Sequence, residues 1–189
     1  MKHIKGDLIE SDVGVMVHVC NNYHVMGSGI AYFLKQKYPQ VYEADLDTPQ
    51  GDESKMGTYS VAAIQDNRFV CNLYAMWGIG SNGNPLERNL SYDHFYNGLY
   101  KICEEIATKY PLTTTIVGLP KYVGCCRAGG SWDIVEAIIK DIETIFSEYI
   151  SFHIYELENG EVKADSTNWT KPNEKNTYLF DIDNFSGLQ

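Results

Sequence analysis

The sequence predicts a single α/β domain of three layers, with helices on both faces of a central mixed sheet. Two observations carry that reading. Short apolar, largely β-branched runs bounded by Gly, Asp, Asn or Pro recur over residues 1–157, and between them stand segments whose apolar residues fall at helical spacing. Strands interleaved with helices of this length pack as a sheet between two helical layers. At 189 residues and 44% hydrophobic content, the chain can bury one substantial core.

Strands are expected at HIKGDLI, VGVMVHVC, GTYSVAAI, RFVCNLYAMW, TTIVGLP and SFHIYEL. The first helix starts near Gly29, covers IAYFLKQKY and restarts after Pro39 as VYEADL. A second opens at Ser91, whose hydroxyl suits an N-cap, and buries Phe95, Leu99, Ile102, Cys103 and Ile106. Ser131 opens the third, with an apolar face of Ile134, Val135, Ile138, Ile139, Ile142, Ile145 and Phe146. Residues 158–189 differ in kind, being polar and without helical period. They read as a C-terminal extension of the domain at 1–157, able to dock through Trp169, Tyr178, Leu179, Phe180 and Phe185.

A formal charge of −10 argues against tight sequence-independent nucleic-acid binding, which needs Lys and Arg against phosphates. A nucleotide-sized ligand remains compatible, because backbone N–H groups can hold a diphosphate without net basic charge. Five cysteines, an odd number without regular spacing, read as reduced thiols, and the start MKHIKGDLIESD has no apolar run of signal-peptide length. Cytoplasmic residence without a membrane span is the expectation. His3, His18, His24, His94 and His153 are scattered, so no metal site is expected. A cysteine phosphatase fails on spacing, because the positions six after Cys20, Cys125 and Cys126 are Met26, Ser131 and Trp132. Gly78 to Gly83 formally satisfies GxGxxG, but Asn84-Pro85 follows where a helix would have to open, so a loop is the better description.

Two glycine-containing loops do precede helices, Asn21 to Gly29 and Gly124 to Gly130. Each would bring backbone N–H groups and a helix N-terminus close to an anion, and each read alone could equally be a turn. Both following apolar strands, they point to one phosphate-bearing ligand held between them at the carboxyl ends of those strands. His18 ends a run of valines three residues before Asn21. A histidine in such a strand is commonly a satisfied core residue. Beside a phosphate cradle, an imidazole could also activate water or move a proton, with His24 as its rival on the loop.

The succession KGDLI at 5–9, HVCNNYHVMGSGIA at 18–31 and LPKYVGCCRAGGSW at 119–132 resembles the macrodomain family. The resemblance covers residues 1–157 and implies a cleft for ADP-ribose across the strand ends. Carried over by position, Asp7 and Leu8 would hold the adenine and Asn21 the distal ribose. Gly27, Ser28, Gly29 and Ile30 would form the first diphosphate loop, and Gly124, Cys125, Cys126, Arg127, Ala128 and Gly129 the second. The MGSGIA and AGGSW variants look like the branch that contains ADP-ribose 1''-phosphate phosphatases and terminal ADP-ribose glycohydrolases. Glycohydrolases of that branch use a lysine and an aspartate where this chain has Asn89 and Ala128, so hydrolysis of ADP-ribosylated macromolecules is disfavoured. The phosphatases carry a histidine at the place of His18. The resemblance therefore implies a phosphatase acting on ADP-ribose 1''-phosphate without cofactor or metal, with His18 and Asn21 catalytic. A non-catalytic binder of ADP-ribose, or of a related signalling nucleotide, is the competing expectation.

Overall fold

The structure is a computed structural model and describes residues 1–79 and 88–157. The GxGxxG segment past Ile79 and the C-terminal extension lie outside the described residues.

Six strands form one sheet: β1 (Lys2–Lys5), β2 (Val15–Asn21), β3 (Tyr59–Ala63), β4 (Phe69–Met76), β5 (Thr115–Pro120) and β6 (Ile150–Glu156). Their order across the sheet is β1-β6-β5-β2-β4-β3, with β3 antiparallel to β4 and every other pairing parallel. The carboxyl ends of β1, β6, β5, β2 and β4 therefore share one edge, which is what a parallel sheet with helical crossovers must produce.

The two-residue period of the strands sorts side chains to opposite faces. Val15, Val17, Leu73, Val117, Leu119, Phe152 and Ile154 pack beneath α3 (Tyr92–Lys109) and α4 (Trp132–Ile145). Met16, Cys20, Val70 and Tyr74 pack beneath α1 (Gly29–Lys37) and α2 (Pro39–Leu46). This is the three-layer sandwich read from the sequence, with the break between α1 and α2 where Pro39 sets φ for a new first turn.

Two departures concern a strand end and a helix face. Leu8 and Ile9 lie beyond β1 in a turn, where both are buried. In α4, Val135, Ile139 and Ile142 are buried, but Ile134 and Ile145 are 45% and 49% exposed. The stripe facing the core is narrower than the run of isoleucines suggested, because α4 packs on the sheet along one line and its flanks reach solvent.

Under α2 the core is polar. Lys55 Nζ lies 2.9 Å from Asp45 Oδ1 with both side chains 1% exposed, and 4.1 Å above the Tyr74 ring. A buried pair of this kind contributes little net stability against its desolvation cost. Removing one partner is another matter, because it strands the other charge.

Candidate functional site

β2 and β5 are neighbours, yet the chain leaves them toward opposite faces of the sheet. After β2 it climbs to α1 and after β5 it descends to α4, so the two loops diverge. That divergence marks a topological switch point at the carboxyl edge, the position at which α/β sheets hold their ligands. Both glycine loops flank it.

The first loop is tied by its own asparagines. Asn21 Oδ1 accepts from Tyr23 N and Val25 N at 2.9 and 3.2 Å, and Asn21 Nδ2 donates to Val25 O at 2.7 Å. Asn21 thus holds the loop's shape, with one amide hydrogen left over. Gly27 is exposed, and a Cβ built on it or on Gly29 would meet no atom within 4 Å. Gly29, at φ +59°, opens α1. Ser28 is the extended N-cap of α1 but makes no side-chain cap bond, and the first turn holds no acidic residue; Ile30 is half-buried behind it. Ser131 likewise leaves α4 without a side-chain cap. By contrast, Ser91 Oγ accepts from His94 N and caps α3. α1 therefore presents uncapped N–H groups and a positive dipole end without a matching carboxylate, whereas α4 lacks a side-chain cap but carries Asp133 in its first turn.

The second loop is packed. Gly124 at φ +70° lies so close to Leu90 that a Cβ would approach its Cδ1 to 2.9 Å. A Cβ on Gly130 would reach Gly124 O at 2.8 Å. The Ala128 carbonyl accepts from both Asn89 N and Leu90 N, at 3.0 and 2.9 Å, which brings the positions of Asn89 and Ala128 together. Cys125 donates its thiol to Val123 O at 3.3 Å, and burial pushes its pKa up to about 12. Cys126, Arg127 and Gly129 are exposed.

At the far end of the edge, Asp7 follows β1 and is exposed, with Oδ1 accepting from Ile9 N at 2.9 Å and Oδ2 turned to no described partner. Leu8 is a core residue. Its Cδ1 would lie 2.5 Å from a Cβ on Gly118, so only glycine fits beneath it.

His18 is fully buried on the α1/α2 side. Its Nε2 lies 2.7 Å from Asn72 Oδ1, and Asn72 Nδ2 donates to Val41 O and Ser60 Oγ at 2.8 and 3.0 Å. Those two acceptors fix the amide orientation, so Nε2 carries the imidazole proton and Nδ1 holds the lone pair. Cys20 Sγ sits 3.6 Å from both ring nitrogens, over the ring rather than in line with either. Burial pushes the pKa of His18 down to about 4, partly offset by the Asn72 hydrogen bond and the Asp45 charge, so the ring is neutral at pH 7. Sequence reasoning found His18 but missed Asn72, Ser60, Lys55 and Asp45. Their partners are distant in sequence, and no local motif marks them. His24, at φ +60°, lies 3.3 Å from Thr48 Oγ1 and 3.9 Å from Asp45 Oδ1.

Elsewhere, a shallow depression lined by Thr114, Glu143, Thr144, Ser147, Ile150 and Ser151 lies at the amino ends of β5 and β6, away from both loops. Among the described residues no helix is long and apolar enough to cross a membrane.

No protein-family model matches the chain. It is 32% identical over 145 residues to an uncharacterised 17.5 kDa protein from the tk–vs intergenic region of Enterobacteria phage T4, covering 74% of this chain and 87% of the phage protein. The macrodomain of Thermus aquaticus DarG superposes with a TM-score of 0.64 at 19% identity, over 82% of this chain and 97% of that one. Thermosipho africanus DarTG, solved in complex with ADP-ribose, superposes with a TM-score of 0.63 at 19% identity, over 84% of this chain and 42% of that one. With its six-stranded mixed sheet between two helical layers, the chain has the macrodomain fold and belongs to the same family as the phage T4 protein.

Proposed function

We propose that the chain binds ADP-ribose along the carboxyl edge of its sheet. The observation that carries the reading is the switch point between β2 and β5, where the chain departs to opposite faces and the N-terminus of α1 stands uncapped beside an open glycine loop. The diphosphate lies between the first and second loops, held by backbone N–H groups, which is how an acidic chain can retain an anion. Asp7 at the β1 end supplies a free carboxylate oxygen for the exocyclic amine of adenine. Asn21 shapes the loop around the distal ribose and has one amide hydrogen to donate to it. The ADP-ribose complex of the Thermosipho neighbour, which shares the fold, supports the same ligand class. Calorimetric titration tests the reading, with binding of ADP-ribose expected and absence of heat at millimolar ligand counting against it.

A second, finer reading is removal of the terminal phosphate from ADP-ribose 1''-phosphate. In that reaction water attacks phosphorus, the bond from phosphorus to the 1''-oxygen breaks, and ADP-ribose and inorganic phosphate leave. The observation in its favour is that His18 is neutral at pH 7 with its Nδ1 lone pair unprotonated, the state a general base needs. His18 is fully buried, so the reaction requires that side chains covering its ring move to admit water. Phosphate release by the wild type, lost in His18→Asn with ADP-ribose affinity kept, supports the phosphatase. Binding without release by the wild type leaves the protein a binding module.

A further inference from the structure

β1, KHIK, is one outer strand of the sheet, and among the described residues it pairs with β6 alone. Its far side therefore presents a row of backbone N–H and C=O groups, a template on which another strand can add. The other outer strand, β3, lies under α2, whose Gln40 Nε2 donates to Ala63 O at 3.3 Å. Three of the four residues of β1 are exposed.

The sheet face beside β1 is open too. α1 and α2 lie over β2, β4 and β3. Over β5 and β6 the same face carries the turn after β1, whose Leu8 and Val13 fill the slot at Gly118. Beside that turn Ile116 is 38% exposed, and Ser151, His153 and Ile4 are half-buried. The register sorts the chemistry of β1 between faces. Lys2 and Ile4 stand opposite His153 and Tyr155 on the open face, and His3 and Lys5 stand opposite Ile154 and Glu156 on the α4 face. In a chain of net charge −10, two lysines and a histidine in four residues make an edge that favours an acidic strand.

The chain itself holds such a strand. β6 ends at Glu156, so residues 158–189 begin one strand away from this edge, and they carry six acidic residues to three lysines. Within them TYLFDIDNF, from Thr177 to Phe185, is rich in β-favouring residues and alternates with period two: Tyr178, Phe180 and Ile182 fall on one side, and Leu179, Asp181 and Asp183 on the other. We propose that residues 177–183 add to the sheet along the free edge of β1. One pairing parity satisfies both faces, with Tyr178, Phe180 and Ile182 beside Ile4 on the open face and Asp181 and Asp183 beside His3 and Lys5 on the other. Reach is ample. Residues 158–176 extend to about 60 Å, against about 10 Å from β6 to a strand beyond β1. A second copy is the poorer occupant, because β1 against β1 would set lysines against lysines. This docking needs no ligand and stands apart from the ADP-ribose reading.

Hydrogen exchange of the full chain, read by mass spectrometry over residues 2–6 and 177–183, tests it. Leu179→Pro and the double variant Asp181→Lys, Asp183→Lys run beside the wild type, with a thermal melt to check that the domain folds. Both segments should exchange slowly in the wild type. A proline removes a ladder donor, so Leu179→Pro should speed exchange in both about ten-fold while β5 keeps its wild-type rate, and the double lysine variant should speed both by a smaller factor. Wild-type exchange over 177–183 at the rate of an unstructured peptide overturns the docking. So does a Leu179→Pro effect confined to 177–183, which would place the segment elsewhere. Protection over 2–6 that rises with protein concentration alongside a dimer in sedimentation would give the edge to a second copy, and the proposal would be wrong.

Discussion

The loops after β2 and β5 are both glycine-rich and both open helices, yet they are built for different work. In the second loop Gly124 and Gly130 are forced by packing, since they lie against Leu90 and each other and leave no room for a side chain. In the first loop the glycines at 27 and 29 have empty space where a Cβ would project. A glycine that faces protein is there for the fold, and a glycine that faces nothing keeps space for something absent from the chain. In the proposed reading both loops flank the diphosphate, with the second the tightly packed side and the first the open one.

The comparison can be broken most violently from beneath the first loop. Lys55→Met would strand the Asp45 carboxylate in the core under α2 and near His24, at a cost of about 3–5 kcal/mol by chemical denaturation. Pairing it with Asp45→Leu should recover most of that loss. Next comes pH. The folded pKa of His18, about 4, lies below the unfolded value of 6.5, so the unfolded state binds the proton first. Stability is therefore full above pH 6.5 and falls toward pH 4, by about 3 kcal/mol on this group's account. His18→Asn should flatten that part of the stability profile relative to wild type. In the second loop, Gly130→Ala should cost about 1–3 kcal/mol through overpacking in the wild type, and less when it is made in a Leu90→Ala background. A stability loss in Gly130→Ala that Leu90→Ala leaves untouched would put the strain elsewhere. The smallest stability effect belongs to the open side. Gly27→Val meets no neighbour and has no left-handed φ, so its thermal midpoint should stay within a degree or two of wild type, as expected for a surface substitution costing under about 0.5 kcal/mol.

Much of this was legible in the sequence because it is local. Pro39 marked the break between α1 and α2, Ser91 marked the cap of α3, and the alternation in VMVHVC placed β2. The three motif segments also came out along one edge, as their place after strands required. What stayed hidden depends on chain segments far apart. Nothing near His18 announces Asn72, fifty-four positions on, and nothing in the two glycine loops says which one is lined by Leu90. Leu8 packs into a slot that Gly118 of β5 leaves for its side chain, a fit that no local motif marks. Ile134 and Ile145 followed the helical period but sit at the flanks of α4, since period fixes a face and only the packed sheet fixes its width.

The central claim is that the space at Gly27 belongs to the ligand. The direct measurement is calorimetric titration of ADP-ribose into wild type and Gly27→Val, with the thermal midpoint of each recorded beside it. The account predicts binding by the wild type and at least about a ten-fold weaker association in the variant, equal to 1.4 kcal/mol, at an unchanged midpoint. Equal affinity in the two proteins would contradict it.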